Sequence, residues 1–255
     1  MSMDHAASVQ GLGLRVTRLG LDGRPLAGDN TSFFTTSFIS LGFTPEYSEG
    51  DEIEEKAADG SVCISYKMPD TLKNVTISLA ICNPDPELYQ LLVGGEAIVA
   101  KAVDGTIAAG DVVGYRAPDI GTVESTPVAV EVWSKAIVGG KLSSKLPYYY
   151  WVFPSATFRM TGDRVLENGA MANEFEGSGV GNGNFAMGPL LEGWKYGPTD
   201  RAYQYARVAS VPTATNGFQV VAASSAAGTD NSDPTHTDPT APSSPWAVGG
   251  YEDGE

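Results

Sequence analysis

Apolar and polar positions alternate with a period of two over much of the chain, most clearly where Val75, Ile77, Leu79 and Ile81 are interleaved with Thr76, Ser78 and Ala80. A pleated strand sends successive side chains to opposite faces, so this run predicts a strand with one buried face. Val62, Ile64 and Tyr66 against Cys63, Ser65 and Lys67 predict a second. Thr31 to Phe43, rich in Phe, Thr and Ile, predicts a third, paired with the second as a hairpin through a long loop. That loop, residues 44–60, contains Glu46, Glu49, Asp51, Glu52, Glu54 and Glu55. Their like charges repel and cannot enter a monomer core, so the segment is expected to be extended and either solvated or facing a partner.

A change of period follows. Asp85 precedes Pro86 and Glu87, and Leu88, Leu91 and Leu92 then recur at helical spacing before Gly94 and Gly95. A capping carboxylate, a proline at the first helical position, an acid in the first turn and a glycine stop together predict a short helix over 85–93 with the three leucines in the core. Beyond it come further strand-like runs: Ala97–Val103, Asp111–Tyr115, Val128–Val138, Tyr148–Thr161, Tyr203–Val211 and Phe218–Ala222. In the most aromatic of these, Tyr148, Tyr150 and Val152 face one side and Tyr149, Trp151 and Phe153 the other, so that strand must be covered twice.

The ends read differently. Residues 1–35 are small, polar and glycine-rich apart from an alternation at Leu12, Leu14 and Val16 that suits a short strand, and are expected to be an arm ordered only partly, or only when a partner holds it. Residues 36–222 form the β domain, and 223–255, with Asp-Pro-Thr at Asp233 and again at Asp238, a low-complexity tail. The run Gly177–Pro189 lacks the Gly-Lys-Ser/Thr ending of a phosphate loop and is expected to be a flexible loop. The 30 glycines and 16 prolines among 255 residues favour many short strands over long helices.

Charge and chemistry narrow the function. Asp and Glu number 31 against 16 Lys and Arg, a formal net charge of −15, which disfavours tight phosphate neutralisation. Cys63 and Cys82 have no neighbouring histidine, so neither zinc nor a disulfide framework is indicated, and both are expected as buried thiols on strands. The only histidines, His5 and His236, lie in the arm and the tail, leaving a nucleophilic triad without a base. The acidic block does not follow the spacing of a calcium loop. Glu174 and Glu176 are the best local carboxylate pair for glycoside hydrolysis, on the same side of a strand. No catalytic, cofactor or metal site is therefore assigned. The N-terminus has neither the basic region nor the apolar core of a signal peptide, and synthesis and retention in a cytoplasm are expected.

Taken together, Phe43–Lys56, Cys63–Gly95 with its Asn-Pro-Asp-Pro-Glu-Leu, and Tyr148–Asp163 followed by a glycine-rich loop resemble the major tail tube proteins of long-tailed (siphovirus-type) phages of actinobacteria. The resemblance implies a mainly β chain, a β-sandwich with one flanking short α-helix, whose inner strands join between subunits into a β-barrel. It implies self-assembly into stacked hexameric rings that form the virion's tail tube, the conduit for DNA ejection. Expected partners are further copies of the chain, the tape measure protein, tail terminator and tail tip proteins, and double-stranded DNA that passes without specific binding; no membrane is implied. The acidic loop would then carry the inter-subunit contacts, its carboxylates pairing with lysine or arginine of a neighbour. The alternatives are a capsid decoration or other virion surface protein, and a secreted carbohydrate-binding or hydrolytic β-protein.

Overall fold

The computed structural model describes residues 4–83, 85–101, 105–121, 126–162, 173–185 and 201–221. Strands β1 (Ala7–Arg18), β2 (Gly28–Thr35), β3 (Phe38–Ser48), β4 (Glu52–Lys56), β5 (Val62–Lys67) and β6 (Thr71–Ile81) precede the helix α1 (Pro86–Val93). After it come β7 (Glu96–Val99), β8 (Val112–Arg116), β9 (Val128–Val138), β10 (Lys141–Leu142), β11 (Tyr148–Thr161), β12 (Asn173–Val180), β13 (Gln204–Val208) and β14 (Gly217–Val221). The protein is mainly β, with one short helix among the described residues.

Ten strands form one antiparallel sheet in the order β14-β2-β1-β9-β11-β12-β6-β3, with β10 added to β9 and β13 to β11. The long aromatic strand β11 is the hub. One edge pairs with β9, while the other pairs with β13 through Tyr148–Val152 and with β12 through Ser155–Thr161. Pro154, which has no N–H to give a ladder, stands where β11 changes partner, and the register with β9 is irregular between Phe153 and Ala156.

Both faces of β11 are covered along its Tyr148–Phe153 half, as the composition of that half predicts. Phe153 packs in a cluster with Leu14, Val16, Val75, Ile77, Leu79, Val130, Phe175 and the helix residues Leu88, Leu91 and Leu92. Tyr150 and Val152 belong to a second cluster with Phe34, Trp133 and Phe185. The sheet bends back on itself. Although β12 and β6 lie between β3 and β11, the Phe43 ring centroid is 5.4 Å from that of Phe153. Three strand spacings in a flat sheet would separate them by about 14 Å. Among the described residues β14 and β3, the two ends of the order, do not pair, and the sheet stays open.

The helix forms as its sequence dictates. The Asp85 side chain accepts from the Glu87 N–H at 3.2 Å, Pro86 opens the first turn, and Gly94 with φ of 83° ends it. Leu88, Leu91 and Leu92 are buried. Burial, followed by the Asp85 charge, raises the Glu87 pKa above its usual 4.5. The Tyr115 hydroxyl of the separate β7–β8 pair donates to the Gly94 carbonyl at 2.9 Å and fixes the helix end.

Several expectations are corrected. Residues 7–35 are not a partner-ordered arm: β1 lies inside the sheet between β2 and β9, with Leu14 and Val16 fully buried. Its polar positions are buried as well, because Arg15 finds Glu131 on β9, 116 residues further on. Thr31–Phe43 is two strands, broken at Thr36 and Ser37, where Asn216 Oδ1 accepts from the Thr36 N–H at 3.0 Å. Strand β3 pairs with β6 and not with β5. Gly177–Val180, expected as flexible loop, complete β12, where Gly177 sits under the Phe158 ring. The tail 223–255 and His236 lie outside the described residues.

Candidate assembly surface

The acidic segment 44–60 is not a loop. Thr44–Ser48 complete β3, and Glu52–Lys56 form β4, which pairs with β5 in a two-stranded sheet of its own. β3 and β6 thus continue into β4 and β5 as one long hairpin interrupted by a neck. At the neck the Met68 N–H donates to the Asp51 carbonyl at 2.9 Å and the Gly50 N–H to Asp70 Oδ1 at 3.1 Å. The strands approach so closely here that a Cβ on Gly50 would lie 2.0 Å from the Met68 carbonyl oxygen. Glycine is therefore required by sterics, and the crossing couples the arm to the sheet. The tip is a tight turn in which Gly60 takes φ of 83° and Asp59 accepts from the Ser61 hydroxyl at 2.6 Å and its N–H at 3.0 Å. These bonds, the hydroxyl's first, lower the Asp59 pKa below the usual 3.8.

Every residue of β4 and β5 is exposed, so the arm has water on both faces. The two faces differ. Register partners Ile53 with Tyr66 and Glu55 with Ile64 share one face with Val62, giving an apolar row around a single carboxylate. Glu52, Glu54, Cys63, Ser65 and Lys67 occupy the other, where Lys56 Nζ lies 3.1 Å from Glu54. Extended pairing satisfies the backbone while strand alternation spreads the carboxylates over both faces, which is how so charged a segment forms regular structure. Cys63 and Cys82, expected to be buried, are both exposed. The first stands on the arm, and the second follows the final strand residue of β6, where parity turns it away from the core side of Ile81.

The six predicted contact residues all project into solvent along this hairpin. Glu46 on β3 accepts from the Thr76 hydroxyl at 2.6 Å, Glu49 and Asp51 stand at the neck, and Glu52, Glu54 and Glu55 lie on β4. The apolar row opposite was missed, although Val62, Ile64 and Tyr66 already alternate in the sequence. Among the described residues no three His, Cys, Asp or Glu side chains converge as a metal site.

Glu174 and Glu176 share the outer face of β12, where Arg159 Nη2 approaches Glu176 Oε2 at 2.7 Å. Register rows run across β6 and β3 from Glu174 through Ala80 and Ser40, from Glu176 through Ser78 and Gly42, and from Ser178 through Thr76 and Thr44. This is a face of short side chains and carboxylates, on which Glu176 is already committed to Arg159. No helix of the described residues is long and apolar enough to cross a membrane. No protein-family model matches the chain, and no curated protein matches it significantly.

Proposed function

We propose that the protein is a self-assembling structural protein of a phage tail tube, whose rings stack into a hollow conduit for DNA. The observation that carries this reading is the arm. An isolated two-stranded hairpin is at best marginally stable in water, and this one holds Ile53, Val62, Ile64 and Tyr66 exposed on one side. A partner that covers the row removes that exposure and gives the carboxylates cations to pair with. The open edges at β3 and β14 support the same reading, since inter-subunit pairing into a closed barrel is the arrangement that removes unpaired strand edges. Sandwich packing and six-fold ring closure belong to this proposal.

The outer face of β11, β12, β6 and β3 suits a surface past which DNA slides. Its one arginine, Arg159, is already paired with Glu176, which leaves little cationic charge to hold phosphates. The test is negative-stain electron microscopy of the concentrated protein, with and without a preformed tail-tip complex as nucleus. Hollow tubes of stacked rings are the expected result. Monomers or trimers that persist with the nucleus would overturn the proposal in favour of a capsid decoration protein.

A further inference from the structure

The acceptor for the arm is readable on the chain itself. An acidic hairpin with an apolar row needs a surface that offers exposed apolar side chains and cations not already committed. Among the described residues, Arg15 is tied to Glu131, Arg24 to Asp22, Arg116 to Glu96, Arg159 to Glu176 and Arg207 to Asp4. Lys56 and Lys67 belong to the arm, and Lys73 stands at its base.

Of the remaining described lysines, Lys101 follows β7 and three belong to the far end of β9. Lys135 on β9, Lys141 on β10 and Lys145 in the loop before β11 all belong to this end of the sheet. The Ala136 N–H bonds the Pro147 carbonyl and the Ser143 N–H bonds the Ala136 carbonyl, which folds this loop onto the strand end. Lys135 donates only to Gln10, and Lys141 and Lys145 are exposed and in no ion pair. Val9 is the register partner of Lys135 and Leu142 that of Ile137, so both share the Lys135 face. They are 47% and 45% exposed, forming an apolar strip on the Lys135 face, while Lys141, the register partner of Val138, stands on the other face of the same strand end.

We infer that this β9–β10 end receives the β4–β5 arm of a second copy of the chain, with the lysines pairing the arm's carboxylates and the Val9–Leu142 strip covering its apolar row. The inference rests on the self-assembly proposed above and names the surface that assembly uses. Charge complementarity selects the occupant, because the arm holds the densest run of carboxylates in the sequence and three described lysines belong to this end. Sheet register supports the geometry. From the row joining Pro45, Val75, Gly179, Ala156, Val128 and Arg18, the arm lies in the direction of Ser48 and Thr71, and the lysines in the same direction along β9. Arm and acceptor are thus at one end of the sheet but on strands set apart across it. Two copies side by side in the same orientation bring them together, and such a heterologous contact repeats around a ring when its rotation closes.

The test is a charge exchange. Lys141→Glu with Lys145→Glu, and separately Glu52→Lys with Glu55→Lys, are each expected to raise the concentration needed for assembly at least about tenfold, read by sedimentation velocity and electron microscopy. Combining all four changes in one chain restores assembly. All substituted positions are exposed, and circular dichroism checks that each variant keeps its strands. If the lysine variant assembles like the unaltered protein, or the four-fold variant assembles no better than the arm variant, the acceptor lies elsewhere and this inference falls while self-assembly stands. If the unaltered protein never assembles, even with the tail-tip nucleus, both fall.

Discussion

Replacing Glu131 by Gln removes one charge from the middle of the sheet while keeping the side chain's shape. Glu131 and Arg15 are both fully buried, and Arg15 Nε donates to Glu131 Oε2 at 2.5 Å. The other carboxylate oxygen accepts from the Tyr150 hydroxyl. The guanidinium carbon lies 5.3 Å from the centroid of Trp133, which stacks on Tyr150 at 5.1 Å. In Glu131→Gln the guanidinium stays buried with no anion, a change that typically costs about 3–5 kcal/mol. For a chain of this size that corresponds to a drop in Tm of roughly 6–20 °C. Tyr150→Phe, which removes a single bond to a charged acceptor, should cost about 1.5–3 kcal/mol. Arg15→Met combined with Glu131→Leu removes both charges, and should be less destabilised than Glu131→Gln alone. Urea unfolding of the dilute protein followed by tryptophan fluorescence gives all three values. If Glu131→Gln costs less than about 1 kcal/mol, or the double replacement costs more than Glu131→Gln, the pair does not act as a buried unit and the reasoning fails.

Three further outcomes are expected. Leu91→Ala, which empties a fully buried site under the helix, should lower stability by about 2–5 kcal/mol in the same unfolding assay. Gly177→Ala would put a Cβ 2.6 Å from the Phe158 ring on the paired strand, and should cost about 1–3 kcal/mol through overpacking; a neutral result would mean that the ring moves freely. Asp4 has its pKa held below the usual 3.8, first by the Ser143 hydroxyl and then by Arg207. Its contribution to stability is therefore present above the unfolded value and is lost as pH falls through the lowered one. A carboxyl NMR titration should show Ser143→Ala moving the Asp4 midpoint up towards 3.8, and an unmoved midpoint would contradict that cause.

Local signals carried the parts of the fold that local interactions decide. Asp85-Pro86 and Gly94 bracket the helix because capping acts over a few residues, and Val75 to Ile81 alternate because one face of β6 meets the core throughout. The place of β1 was illegible, since Arg15 reads as a solvated position until Glu131 arrives from a distant strand. The carboxylates of the arm were legible as a protrusion, for no monomer core accepts them. That they ride on paired strands was not, because repulsion between side chains says nothing about backbone bonds. Alternation also misplaced Cys63: it marks two faces, but only neighbouring elements decide whether either is covered.

The pairing of β1 with β9 sets a timetable for synthesis. Arg15 leaves the ribosome 116 residues ahead of Glu131, an interval of about 6–23 s at common elongation rates. For that time β1 and β2 have neither β9 nor β14 to pair with, and the guanidinium of Arg15 is in water. Strand β9 then gives the β1 edge its ladder and its counterion in the same step, so β1 and β2 are made early and committed late.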